Sequence, residues 1–286
     1  MTTVERTLVL GGSGFVGREL MVHLGCSGSS TTSREGFLQV DATESGELRH
    51  QLNSVKPEVV INCVGLADVD RSEREPALAD TLNHLVVENL VAAQRSVPFR
   101  LVQISTDYVF DGERGGYREA DPVHPINEYG RSKLAGEQAL HDSEWALVVR
   151  IAAPYGKGYG ARKPQFFRYV ADSLKAGKSV KALTDQRVTA TYLPDLARAI
   201  PSLLARGVRG IVHVGSDEPL TRFEFAQRIA GTVGADPVLV NPGLRKDMTQ
   251  WAATRPTDTS LDVQLSRSLG VSYTPVSTAL RDILTE

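Results

Sequence analysis

The amino-acid sequence predicts an α/β protein: a Rossmann-type doubly wound parallel sheet with a smaller C-terminal α/β lobe. Three observations lead there. A glycine-rich loop, Gly11-Gly12-Ser13-Gly14-Phe15-Val16-Gly17, stands between an apolar run and an amphipathic one. Short apolar runs and amphipathic stretches then alternate through the first half, the pattern of βαβ units. Beyond Pro154 the alternation weakens and the texture changes.

The elements follow in order. Thr7–Leu10 reads as the first strand and Phe15–Leu24 as the helix after the glycine loop. The apolar run Gly36–Val40, the amphipathic run Glu47–Val55 and the apolar run Glu58–Val64 continue the alternation. Across Leu78–Arg95, apolar residues Leu82, Leu85, Val86, Leu90 and Val91 recur at helical spacing. Leu101–Ser105 reads as a strand ending in Thr106-Asp107, Glu128–His141 as a helix and Ala146–Ile151 as the next strand. Past Pro154 come the loop Gly156-Lys157-Gly158-Tyr159-Gly160, a helix near Phe166–Ala176 and a Pro/Thr/Arg-rich stretch at Asn241–Thr259. Residues 1–154 are therefore expected to form the Rossmann domain and 155–286 mainly the second lobe, with some segments returning to the sheet. That lobe is expected to close over the C-terminal edge of the sheet, where open α/β folds place their ligands.

Composition narrows the classes. With 286 residues, 41% hydrophobic and 23% charged, the chain can bury a full core. A formal net charge of -2 with mixed signs offers no basic field for nucleic acid or an acidic membrane surface. Cys26 and Cys63 suggest neither a disulfide framework nor a zinc site. No apolar run approaches the roughly 20 residues that span a bilayer. The start MTTVERTLVLGGSG lacks the sections of a signal peptide, so a cytoplasmic location and a small soluble substrate are expected.

The glycine loop reads as Gly11-x-x-Gly14-x-x-Gly17 or as Gly12-x-Gly14-x-x-Gly17, and in both registers it joins a strand to a helix. Glycine there allows a tight turn and brings backbone N–H groups to a pyrophosphate at the helix N-terminus. The alternative is a plain strand-to-helix turn. A dinucleotide is expected, with Ser13, Phe15 and Val16 contributing beside the glycines. About twenty residues on, where an acidic residue would hold the ribose of NAD, stands Ser30-Thr31-Thr32-Ser33-Arg34-Glu35. The Arg34 guanidinium suits a 2′-phosphate, which favours NADP(H) over NAD(H); alternatively it is a solvated loop charge offset by Glu35. Asp41, with Ala42, is placed for the adenine, though Asp41 could equally cap the next helix. Asn62-Cys63-Val64-Gly65, with Ala67, is placed to line the ribose and nicotinamide.

Tyr129-Gly-Arg-Ser-Lys133 opens a helix and puts phenol and ammonium on one face. A nearby cation would lower the tyrosine pKa towards neutrality, the condition for general acid or base work. Alone, such a pair is more often an exposed helix pair. The segment Ser105-Thr106-Asp107-Tyr108-Val109-Phe110-Asp111-Gly112, ending a sheet strand, can face the same crevice and bind an oxygen on which charge develops.

With these residues the chain resembles the extended short-chain dehydrogenase/reductases, and among them the dTDP-4-dehydrorhamnose reductase family of nucleotide-sugar 4-ketoreductases. The resemblance covers nearly the whole chain. It adds Val69-Asp70-Arg71-Ser72-Glu73, Asn83, Leu134-Ala135-Gly136-Glu137, Arg255-Pro256 and Ser260-Leu261-Asp262 to the motifs above. It implies Thr106 as the triad hydroxyl, Tyr129 as proton donor, and Lys133 as the group that tunes Tyr129 and holds the nicotinamide ribose. Asp107 would touch the substrate. The implied reaction is hydride transfer to the 4-ketone of a nucleotide-linked deoxysugar. Arg255 is a candidate for the substrate diphosphate, or else forms a surface salt bridge.

The resemblance is incomplete. Ala153 stands where rhamnose-forming members carry a tryptophan over the sugar, which puts the exact sugar and the product stereochemistry in question. Glu19 matches one family glutamate of a magnesium site, but Thr191 falls where another aligns, so no metal is expected. Tyr155 and Tyr159 either line the pocket or anchor loops. His84, His124 and His213 show no ligand spacing. Alternatives are an epimerase or dehydratase of the same fold, and a non-catalytic NADP-binding regulatory subunit like the partner of methionine adenosyltransferase. A monomer or homodimer is expected.

Overall fold

The computed structural model describes residues 6–159 and 165–284, so Gly160 of the glycine-rich loop lies outside the described residues. The fully buried strand β1 (Thr7–Leu10) runs through the glycine loop into α1 (Phe15–Leu24). Then follow β2 (Ser27–Ser30), β3 (Leu38–Gln39), α2 (Ser45–Val55) and β4 (Val59–Asn62). Helices α3 (Val69–Arg74) and α4 (Pro76–Asp80) lead through one π-helical turn, Thr81–Leu85, into α5 (Val86–Gln94). Strand β5 (Arg100–Thr106), helix α6 (Glu128–Ala139) and strand β6 (Ala146–Tyr155) complete the first half. These strands pair in parallel in the order β6-β5-β4-β1-β2-β3. The winding reverses between β1 and β4, so the glycine loop opens at the switch point where such sheets bind ligands.

Three local features differ from the periodicity. The pattern of Ser27–Ser30 predicts no strand, because SGSS has no apolar face. Small residues are needed there: a Cβ on Gly28 would lie 2.1 Å from Met21 Sδ of α1. The single helix expected over Leu78–Arg95 is interrupted by the π turn, which buries Asn83 against the loop after β4. Strand β6 extends past Ile151 through Pro154, as far as Tyr155.

In the second half come α7 (Phe166–Lys175), β7 (Val180–Leu183), β8 (Arg187–Val188), β9 (Ala190–Tyr192) and α8 (Leu193–Ala205). Strand β10 (Gly210–His213), β11 (Leu220–Thr221), α9 (Arg222–Val233), β12 (Val240–Gly243), α10 (Gln264–Ser268) and α11 (Val276–Leu284) follow. Strands β9 and β10 both pair with β6, and α8 buries Leu193, Leu196 and Ile200 in the core shared with Leu20 of α1. Residues 190–213 thus pack with the first half. The remainder builds a second core, where Phe167, Val170 and Leu174 of α7 meet Phe225 and Ile229 of α9 and Leu280 of α11. Phe15, at the start of α1, packs against both cores.

Polar clasps tie the two regions. The Arg255 guanidinium donates both terminal nitrogens to Asp70 of α3, at 2.6 and 2.9 Å, and the same carboxylate accepts from Ala252 N and Ala253 N. Asn127, capping α6 by accepting from Gly130 N at 2.8 Å, donates its amide to Thr254 O at 2.9 Å. Glu19 of α1, fully buried, accepts from Gly158 N at 2.7 Å.

Candidate active site

Gly11 adopts φ 72°, accepts from Gly14 N at 2.9 Å, and lies so near α1 that a Cβ on Gly17 would stand 2.3 Å from its carbonyl oxygen. No larger residue fits between turn and helix. Gly14 is the N-cap and brings no side chain to the first-turn N–H groups, and no acidic residue occupies that turn. Those donors remain for an anion, and the helix dipole favours one there. The loop fits a pyrophosphate.

Beside it lies a cavity of about 280 Å³. Val16, Cys63, Val64, Gly65 and Ala67 form one side; Thr106, Asp107, Tyr129 and Lys133 form another, with Ala153 and Tyr155 between. Close approach of α6 makes this convergence. A Cβ on Gly130 would sit 2.2 Å from Tyr108 O, and one on Gly136 2.2 Å from Asn83 O. Thr106, last residue of β5, accepts from Tyr108 N at 3.2 Å and donates to Asp107 Oδ1 at 3.1 Å. Ala153 reaches the cavity because β6 bulges against β9 between Ala152 and Tyr155, and its φ is 38°. A bulge re-aims a side chain in this way.

The family model described as the RmlD substrate binding domain matches residues 5–286. The chain belongs to this family. Among its relatives, a probable low-salt glycan biosynthesis reductase of Haloferax volcanii is 38% identical, the match covering 79% of this chain and 76% of the relative. The dTDP-4-dehydrorhamnose reductase of Mycolicibacterium smegmatis is 35% identical, over 94% of this chain and 81% of the relative. The Bacillus anthracis dTDP-4-dehydrorhamnose reductase, solved in complex with NADP, superposes with a TM-score of 0.86 at 27% identity, covering 98% of this chain and 99% of that one.

In this RmlD-family site the protonation pattern departs from the sequence expectation in one respect. Burial pushes the Tyr129 phenol well above its ordinary range rather than towards neutrality. The reason is geometric: Lys133 donates its ammonium to Ile104 O at 2.7 Å, and loss of hydration at Tyr129 dominates. Tyr129 therefore stays protonated at neutral pH. Burial lowers Lys133 to about 8, with Glu137 and Cys63 opposing the shift. Burial also raises Asp107 to about 6, against hydrogen bonds from Thr259 and Thr106 and the charge of Arg222.

Other expected residues fall elsewhere. The Arg255 fork pairs with Asp70 in a part-buried salt bridge, and its side chain also borders the neighbouring cavity. Asp41 Oδ1 accepts from Thr43 N and Thr43 Oγ1 in the turn before α2, whose N-cap is Glu44, so Asp41 does not cap that helix. Ala42 is buried in the core, and its carbonyl accepts from Asn89. Arg34 stands half-buried after β2, with no carboxylate within ion-pair distance among the described residues, Glu35 included. Tyr159 is exposed, edge-on to His23, and does not line the cavity. Thr191 is buried, its hydroxyl accepting from Ala152 N and donating to Val214 O. His84 sits between Asp80 and Glu88 on the surface, His124 is 4.0 Å from Asp111, and His213 is buried beside Arg150.

The residue the sequence reading missed is Arg222. It begins α9 and borders both the first cavity and a second of about 620 Å³ lined also by Tyr169, Gln186, Met248 and Trp251. Arg222 lies over the Phe166 ring at 5.1 Å and donates Nε to Gln186 at 3.3 Å. Its terminal nitrogens have no protein partner among the described residues. The capping box Thr221-x-x-Glu224 marks that helix start in the sequence and could have pointed there.

Asp107 generates a stability prediction. Its carboxyl holds a proton up to about 6 in the fold against an ordinary 3.8, so the native state binds more protons than the unfolded chain between those values. Stability falls as pH rises through that window, and the deficit is complete above it. Asp107→Asn is predicted to stabilise the protein by about 1–3 kcal/mol at pH near 8 and by little at pH near 4. Urea midpoints at the two pH values check this; a loss of stability at the higher pH contradicts it.

Proposed function

We propose that this chain catalyses NADPH-dependent reduction of the 4-keto group of a nucleotide-activated, dTDP-linked 4-keto-6-deoxy sugar. The observation that carries the reading is the convergence of Thr106, Tyr129 and Lys133 on one cavity between the glycine loop and a second, larger cavity. The two cavities share Val69, Tyr108, Phe166 and Arg222 as walls. The sugar is assigned to the first and the nucleotide to the second, with Arg222 at the diphosphate and Trp251 or Tyr169 against the base.

A reduced nicotinamide held beside the glycine loop would supply the hydride. Tyr129, kept protonated by burial, donates its proton to the carbonyl oxygen, and the Thr106 hydroxyl donates a hydrogen bond to the same atom. Lys133, with Cys63, Val64 and Gly65, holds the ribose side of the cofactor site. Arg34, with no ion-pair partner among the described residues, would pair with the 2′-phosphate. Retention of all three triad side chains in one cavity supports chemistry over a purely regulatory role, and the RmlD relatives named as reductases support the substrate class.

The deciding experiment follows loss of NADPH absorbance with a panel of dTDP-linked 4-keto-6-deoxy sugars. Turnover with at least one is expected; tight NADPH binding without turnover on any would overturn the reading. Tyr129→Phe is predicted to lose about a hundredfold or more in kcat while binding NADPH unchanged. Arg222→Met is predicted to raise KM for the sugar nucleotide about tenfold or more, the scale of a charge-assisted hydrogen bond, leaving KM for NADPH in place. Arg34→Ala is predicted to raise KM for NADPH about tenfold and KM for NADH little; equal effects would remove the phosphate contact.

A further inference from the structure

Helix α6 carries a third polar residue into the core. Tyr129, Lys133 and Glu137 follow one another at four-residue spacing on one face. Glu137 is buried with Arg150, which is itself 2% exposed and donates to it at 3.0 and 2.7 Å. Ser105 Oγ also donates to Glu137, at 2.5 Å. Ser105 and Arg150 are register partners across β5 and β6, so one carboxylate gathers both strands beneath the helix. Ser105 immediately precedes Thr106.

Building on the reductase reading, we propose that Glu137 is a positioning residue: a buried carboxylate one helical turn from Lys133 that, through Ser105 and Arg150, sets the Thr106 end of β5 against α6. A buried ion pair alone contributes little stability and is often replaceable by apolar residues. Here the pair has a third member. The groups near Lys133 are Glu137 on its own helix, the Cys63 thiol at the end of β4 and the carbonyl of Ile104 on β5. Glu137 is the carboxylate among them. Burial pushes the Cys63 thiol up to about 12, so it stays uncharged at neutral pH. Glu137 in turn faces Ser105 from β5 and Arg150 from β6. Behind Arg150, His213 is held to about 4 by burial and Arg150, hence neutral: its Nδ1 donates to Asp262 O and its Nε2 meets Arg150. Arg150 also lies over the Phe110 ring at 5.1 Å. This shell holds the Glu137 carboxylate in place beneath β5 and β6.

The test reads Lys133 directly. In ¹³C-lysine-labelled full-length protein, the Lys133 ε-carbon signal, assigned with Lys133→Arg, is titrated in wild type, in Glu137→Gln and in Glu137→Gln/Arg150→Gln. The double variant leaves no unpaired buried charge if the single one fails to fold. The Lys133 midpoint is expected to fall by about one pH unit or more in whichever variants fold, and the alkaline limb of NADPH-dependent turnover to fall with it. An unchanged midpoint, or a rate lowered equally at every pH, overturns the proposal. If wild type turns over no sugar nucleotide, the reductase reading fails while the titration still reports on Glu137.

Discussion

A lysine can be buried only where its charge is met, and a helix can bring one to a sheet only where the backbones have room. Both conditions are satisfied along α6, and the site depends on them. Gly130 and Gly136 remove the two Cβ atoms that would strike Tyr108 O and Asn83 O, so the helix seats directly on β5 and the π turn. Once seated, it places Tyr129 beside Thr106 and Lys133 beside Gly65, where a Cβ would be 3.9 Å from Lys133 Nζ. Asn83 completes the seat, accepting from Leu66 N and donating to Ser132 Oγ, both at 2.9 Å. Larger residues at these glycines would move Tyr129 and Lys133 as a unit, because overpacking shifts backbone.

The second constraint is closure. The cavity wall is shared between regions with separate hydrophobic cores, so its shape follows from the contacts that lock them. Asp70 is the clearest: a half-exposed α3 carboxylate that accepts two backbone N–H bonds and a bidentate arginine fork, and whose pKa is lowered by those bonds despite some burial. Each such charge-assisted bond contributes about 1.5–3 kcal/mol when buried and less when solvated. Arg255 therefore fixes residues 251–255 beside the second cavity, with Trp251 held against its guanidinium at 4.5 Å. Among the described residues, Arg222, which donates to Gln186 and lies over Phe166, is the cation of that cavity without a carboxylate at ion-pair distance.

The sheet was legible because its strands are buried on both faces and read as apolar runs at Thr7–Leu10, Glu58–Val64, Leu101–Ser105 and Ala146–Ile151. Strand β2 was not, since its composition answers to one sulfur atom of Met21 rather than to a periodicity. The triad was legible through local spacing: Tyr129 and Lys133 are neighbours on a helix, and Thr106 ends a strand. Arg222 and Arg255 were not distinguishable, because which arginine is free depends on a carboxylate 185 positions away in sequence from Arg255. The same holds for Tyr129: i,i+4 spacing says that an ammonium can reach the phenol, whereas Ile104 O decides that it turns elsewhere.

What the site tolerates shows where its specificity is stored. Asp107 is kept in a buried position that raises its pKa, and Ala153 holds a positive φ, a conformation costing a non-glycine residue about 1–3 kcal/mol. Neither is needed to hold the Rossmann sheet together. Both border the cavity that also meets Thr106, Tyr129 and Lys133. The bulge that strains Ala153 also carries the chain into Tyr155, which roots β6 in the second core beside Phe167 and Phe225. A small residue held out of its preferred backbone region is thus coupled to the packing of the second lobe. A larger side chain at Ala153 would narrow the cavity while keeping the strain of a positive φ at the β6–β9 bulge.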